Sequence, residues 1–206
     1  FEHAAVAIFV AMILDGLDGR VARLTRTQSA FGAEYDSLSD MVSFGVAPAL
    51  VVFEWAMKGL GKWGWIAAFV YCVGAALRLA RFNTNIEVVD KRFFQGLPSP
   101  AAAALIAGFV WIMNNNGVPG QDVRWYAFAL TLFAGLTMVT NLRYYSGKDI
   151  NLRRSVPFVS VLAIALFFAI VSSYPPEILF GLFLSYAFSG YAMAAAAWIR
   201  RRTPPA

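Results

Sequence analysis

Seven apolar runs, at roughly 4–20, 41–57, 63–80, 100–113, 125–140, 156–172 and 178–199, are separated by short polar or Gly/Pro-rich stretches. Runs of this kind predict helices. Several fall short of the ~20 residues a straight membrane span needs, and flanking polar residues would complete them. Seven spans is the expected count. Gly59-Leu60-Gly61, residues 114–120, Ser146-Gly147 and residues 172–176 supply the turn residues that break helices. Two pieces, 82–99 and 141–155, have little apolar character. Alanine clusters at 101–104 and 194–197 suit close helix packing in lipid. After Arg200, Arg201 and Arg202, Pro204 and Pro205 stop the last helix.

Composition agrees with this pattern. The 206 residues are 59% hydrophobic and 14% charged, with a mean hydropathy of +0.60. A soluble domain carries about 25% charged residues. The expected fold is therefore all-α, a polytopic transmembrane bundle forming one domain over 1–206. Because the chain opens at Phe1 with its first run already leading to polar chemistry, one further span upstream is expected; no cleavage site follows residues 4–14, so they do not read as a signal peptide.

Lys and Arg set the orientation. Arg20, Arg23 and Arg26 follow the first run, and Arg78, Arg81, Lys91 and Arg92 the third. Arg143, Lys148, Arg153 and Arg154 follow the fifth, and Arg200, Arg201 and Arg202 the seventh. Fourteen of the 17 basic residues thus fall on one side, leaving Lys58, Lys62 and Arg124 on the other. The positive-inside rule makes the crowded side cytoplasmic. The net charge of +5 then reads as attraction to anionic lipid, worth about 1 kcal/mol per basic residue near the surface, rather than to nucleic acid. Cys72 lies mid-run and reads as a small buried apolar residue.

Chemistry concentrates at Asp15, Asp18, Asp36 and Asp40. Asp15 and Asp18 are three apart and Asp36 and Asp40 four apart, so each pair shares a helix face. Two such helices side by side aim four carboxylates at one spot. Left bare, each acid near a bilayer centre costs roughly 2.5–3.5 kcal/mol on insertion scales. Divalent cations are the natural remedy, and all-oxygen donors suit Mg²⁺ or Mn²⁺ rather than zinc. A single Asp near a helix end is ordinarily solvated; four in register with Arg23 and Gly32 are not. Arg20 and Arg26 read as interfacial anchors, and Glu34 lies off the face of Asp36 and Asp40. His3 is the only histidine, which excludes a His-based triad.

The full spacing, D-x2-D-G-x2-A-R-x8-G-x3-D-x3-D, runs through Asp15, Asp18, Gly19, Ala22, Arg23, Gly32, Asp36 and Asp40. It resembles the signature of the CDP-alcohol phosphotransferases, integral membrane enzymes that make phospholipids. The resemblance implies a substrate pyrophosphate lying over two divalent cations held by the four acids. It implies that Asp40 is also the general base for the alcohol proton. Asp18, Gly19, Ala22, Arg23, Ser29 and Gly32 would bind the CDP-lipid: Gly19 and Ala22 leave room for the nucleotide, Arg23 pairs with phosphate, and Gly32 lets the second motif helix approach closely. Hydroxyl attack on the lipid-side phosphorus would give a phosphodiester and CMP.

Residues 34–49, 76–83 and 96–101 narrow the resemblance to the membrane-embedded phosphatidylserine synthases. That implies CDP-diacylglycerol and L-serine as substrates, a homodimer, and a bacterial or archaeal cytoplasmic membrane with the site facing the cytoplasm. Arg78 and Arg81, three apart at a helix end, are candidates for the serine carboxylate. Asn83, Ser43 and Ser39 are candidates for its ammonium, although each of these positions also suits anchoring or helix packing. Glycerol 3-phosphate or an inositol phosphate would want a denser basic pocket, which Arg143, Arg153 and Arg154 could supply. A Mg²⁺-dependent prenyltransferase would show two separate acidic motifs, and a divalent-cation transporter would place its acids at the bilayer midplane.

Overall fold

The computed structural model describes residues 1–25, 27, 29–84, 92–146 and 158–202. Helices dominate. α1 (Glu2–Thr25) is followed by an unbroken rod over residues 30–60. That rod comprises α2 (Ala30–Asp40), a π-helical segment (Met41–Val46), α3 (Ala47–Val52), a second π-helical segment (Phe53–Met57) and a 3₁₀ turn (Lys58–Leu60). Then come α4 (Lys62–Thr84), α5 (Ser99–Asn115), α6 (Arg124–Val139), α7 (Phe158–Ser173) and α8 (Pro175–Arg202). The helical rods coincide with the seven apolar runs. Three of them, Ala30–Leu60, Lys62–Thr84 and Pro175–Arg200, are long and apolar enough to cross a membrane, and Arg124–Val139 is a shorter apolar helix. The protein is thus a largely helical bundle that includes rods able to cross a membrane.

α5 is the centre. Its residues 101–110 are all buried, packed by α1, α8, α6 and α3. The alanines at 101–104 permit this close approach, whereas those at 194–197 lie exposed on α8. α4 and α6 cross at Gly74 and Gly135, where a Cβ on Gly74 would collide with the Gly135 carbonyl. Around them Tyr71, Met57, Leu105, Ile106 and Met138 form the main core. Large apolar side chains on the outside, such as Leu77, Phe69 and Leu162, face where lipid would lie.

One feature departs from the all-helical expectation. β1 (Phe93–Gln95) and β2 (Arg143–Tyr145) pair antiparallel, with Phe94 opposite Tyr144. The two polar pieces of the sequence supply these strands, and period-2 stretches of three residues are too short to read from pattern. The ribbon is clasped to α8: buried Tyr144 donates to the Ala187 carbonyl at 2.8 Å, and Tyr186 donates to the Tyr145 carbonyl at 3.1 Å. Burial holds the Tyr144 phenol above the usual tyrosine range, so it stays a donor. Gly96 ends β1 at φ 74°, a left-handed conformation suited to glycine. Its N–H donates to Leu142, and the chain then enters α5.

Candidate active site

α1 carries Asp15 and Asp18 and α2 carries Asp36 and Asp40. The turn between the helices is set by Ser29, whose hydroxyl caps α2 by accepting from the Gly32 N–H at 3.0 Å. An ideal Cβ on Gly32 would lie 3.1 Å from that hydroxyl and would meet no neighbouring helix. Gly32 therefore makes room for the cap, which differs from the close helix approach expected of it. Gly19 has nothing within 4 Å of its Cβ position, so a side chain there would project into open space.

The geometry brings the acids together. One carboxylate oxygen each from Asp15, Asp18 and Asp36 lie within 4.8 Å of one another. Asp40 joins them on the wall of the same cleft, where the charges of Asp15 and Asp36 act on it. Asp15 and Asp40 are half-buried, Asp18 and Asp36 exposed. Like charges this close repel, and a cation among them relieves the repulsion. The donor set is entirely hard oxygen, which fits a divalent cation of the Mg²⁺ or Mn²⁺ kind.

A cavity of about 660 Å³ opens over this cluster. All four acids line it, as do Gly19, Ala22, Ser29, Gly32 and Ser43. Thr27, Tyr35 and Ser39 add polar wall, and Ala11, Leu14, Ala33 and Phe44 add apolar wall. Ala11 and Ala22 are eleven residues apart on α1, so the cleft extends about 16 Å along that helix. Its wall turns from apolar at Ala11 and Leu14 to acidic at Asp15 and Asp18, then to hydroxyls at Thr27 and Ser29. Thr27 and Tyr35 escape sequence reasoning because neither type is diagnostic alone; Tyr35 is marked only by its place beside Asp36. Glu34 is exposed and is not among the residues lining the cleft.

The π-helical segment begins at Met41, one residue past Asp40. Its wider turn is visible in the Ala47 N–H, which donates five residues back to Val42. α4 supports it: Tyr71 donates to the Phe44 carbonyl at 3.0 Å, and the half-buried Cys72 thiol approaches the Gly45 carbonyl at 3.6 Å. Cys72 is thus a contact of the wide turn as well as a filler.

The five candidates for a serine pocket separate, and Ser39 is on the cleft wall. Ser43 lines the cleft. Arg78 is buried, 9% exposed, with its charge acting on Asp40, Nη1 donating to Ser99 Oγ at 2.8 Å, and its guanidinium 5.5 Å from the Phe82 ring centroid. Arg81 points to the C-terminal end of α6, donating to the carbonyls of Val139 at 3.0 Å and Thr140 at 3.2 Å. Asn83 donates to Ser37 at 3.0 Å, tying α4 to α2. Ser99 and its hold on Arg78 are not legible in the sequence, because 21 residues separate the two. Arg143 sits exposed on the ribbon. The side chain of Arg23, and residues Arg26, Lys91, Lys148, Arg153 and Arg154, lie outside the described residues.

Comparison with known proteins agrees with this geometry. Residues 1–139 match the family model of CDP-alcohol phosphatidyltransferases. A CDP-diacylglycerol–serine O-phosphatidyltransferase of Helicobacter pylori is 36% identical over 189 residues, covering 90% of this chain and 78% of that protein. One of Methanocaldococcus jannaschii is 37% identical over 185 residues, covering 89% and 80%. One of Saccharomyces cerevisiae is 41% identical over 122 residues, covering 56% and 44%. The match includes both helices that carry the acids, and it sets aside the prenyltransferase and transporter readings. The chain belongs to the CDP-alcohol phosphatidyltransferase family.

Proposed function

We propose that the protein transfers the phosphatidyl group of CDP-diacylglycerol to the hydroxyl of L-serine, giving phosphatidylserine and CMP. The observation that carries the transfer chemistry is the convergence of Asp15, Asp18, Asp36 and Asp40 on one cleft. The choice of serine rests on relatives of that name at 36% and 37% identity along most of the chain.

The cleft's chemical gradient suits such a substrate. An acyl-bearing end fits against Ala11 and Leu14, the pyrophosphate at the acids, and the nucleotide where Gly19 and Ala22 leave space. Asp15, Asp18, Asp36 and Asp40 would hold two divalent cations, Mg²⁺ or Mn²⁺, whose charge neutralises the pyrophosphate and the departing CMP. Asp18, Gly19, Ala22, Arg23, Ser29 and Gly32 bind the CDP-lipid. Asp40 is the base: it takes the serine hydroxyl proton as the oxygen attacks the lipid-side phosphorus, and the bond to the CMP oxygen breaks.

For the acceptor, Arg78 is the cation whose charge reaches Asp40, so it receives the carboxylate, and Ser43 on the cleft wall receives the ammonium. Arg81 and Asn83 serve from behind, holding α4 to α6 and to α2. The site faces the cytoplasm, on the side where basic residues gather, and seven spans and a homodimer complete this reading.

Release of CMP by the purified protein in detergent tests the proposal, with CDP-diacylglycerol, Mg²⁺ or Mn²⁺, and one alcohol at a time. Serine-dependent release that a chelator abolishes is the expected result. Release only with glycerol 3-phosphate or an inositol phosphate would replace the acceptor, and no release with any alcohol would overturn the activity.

A further inference from the structure

Arg78 is an unusual cation. It is almost fully enclosed, yet among the described residues no carboxylate lies within ion-pair distance of it. Its charge acts on Asp40 and on Tyr186 at longer range. An enclosed guanidinium without an ion-pair partner is costly, and an anion brought beside it repays that cost. What fixes Arg78 is neutral: the face of Phe82, one helical turn further along α4, and the hydroxyl of Ser99.

Ser99 is built to be immobile. It is 0% exposed and opens α5 between two prolines, Pro98 and Pro100, whose rings fix the backbone on either side. The residues before it are pinned from the end of α6: Gly96 N–H donates to Leu142 at 2.8 Å and Leu97 N–H to Thr137 at 3.2 Å. Ala102 N–H then closes the first helical turn on Pro98 at 2.9 Å. The Ser99 hydroxyl is therefore a fixed acceptor, and accepting from Nη1 it selects one pose of a side chain with four rotatable torsions.

That pose matters because of Asp40. In serine the hydroxyl and the carboxylate sit on adjacent carbons, so a hydroxyl presented to Asp40 puts the carboxylate a few ångströms away. A cation must stand there at a defined angle. We propose that Ser99 is a positioning residue that fixes Arg78 for the carboxylate of the amino-acid acceptor, making Pro98-Ser99-Pro100 a specificity element of the site. This inference rests on the serine reading above.

Steady-state kinetics of the full chain in detergent test it, with KM for serine and for CDP-diacylglycerol measured separately for Ser99→Ala, Ser99→Thr and Ser99→Cys. Loss of a hydrogen bond to a charged group predicts that Ser99→Ala raises the serine KM about tenfold, with kcat and the CDP-lipid KM within twofold of the parent. Ser99→Thr keeps the hydroxyl and restores the serine KM. CMP binding reports folding independently. Should Ser99→Ala fail to bind CMP, Ser99→Cys, of nearly parental size, decides by the same split. A fall in kcat at unchanged serine KM, or an equal rise in both KM values, would overturn the inference. So would a Thr variant that behaves as the Ala variant does. Parent protein that ignores serine would overturn the reading beneath it, and would be seen before any variant is made.

Discussion

Tyr71 on α4 donates a 3.0 Å hydrogen bond to the carbonyl of Phe44, four residues beyond Asp40 on the neighbouring rod. Both residues are buried, and the bond falls inside the π-helical segment, where the regular helical ladder is interrupted. The acidic cleft is thereby tied to the core of the bundle through this phenol. Tyr71→Phe leaves a buried carbonyl without this donor and is expected to cost about 1–3 kcal/mol. A melting curve in detergent measures that loss, and turnover should drop as Asp40 loses its fixed direction. A variant as stable as the parent would show the wide turn to be held by packing alone.

Asp40 and Asp18 should fail differently. On the proposed reading Asp40→Asn removes the base and keeps the shape, so CMP release should fall by about 10²–10⁴-fold while CDP-lipid still binds. Asp18→Asn removes a proposed ligand from the exposed part of the cluster, so the Mg²⁺ or Mn²⁺ concentration needed for half-maximal release should rise at least tenfold. Titrating metal against CMP release for both variants separates the roles; identical metal curves would remove the distinction between base and ligand.

Gly19 offers the opposite signs for stability and activity. Its Cβ position is empty to 4 Å, and it lies within α1, where glycine costs roughly 0.5–1 kcal/mol relative to alanine. Gly19→Ala should therefore melt higher than the parent. The added methyl projects into the cleft and should raise the CDP-lipid KM, leaving the serine KM alone. Unchanged lipid affinity would move the nucleotide to another wall.

Arg81 is expected to matter for stability and not for the acceptor. Its guanidinium satisfies the Val139 and Thr140 carbonyls where α6 ends, and charge-assisted bonds to helix-end carbonyls are worth about 1.5–3 kcal/mol. Arg81→Ala should lower the melting temperature with the serine KM within twofold of the parent, whereas Arg78→Ala should raise that KM. A serine KM raised equally by both would return Arg81 to the pocket.

The sequence by itself determined the helical rods, because apolar runs of this length satisfy their own backbone and bury one another wherever they meet. It determined the four acids as well: i,i+3 and i,i+4 spacing is a local property, and repulsion among carboxylates calls for a cation whatever the packing. Only the tertiary structure decided how those faces are aimed. The wide turn after Asp40 depends on Tyr71, 27 residues beyond Phe44. Arg78 and Arg81 look alike on one helix end, yet one is held by Ser99 at the start of α5 and the other by the end of α6. Such outcomes follow from where a partner 21 or 58 residues away comes to rest. A hydrogen bond across that separation leaves no period in the sequence.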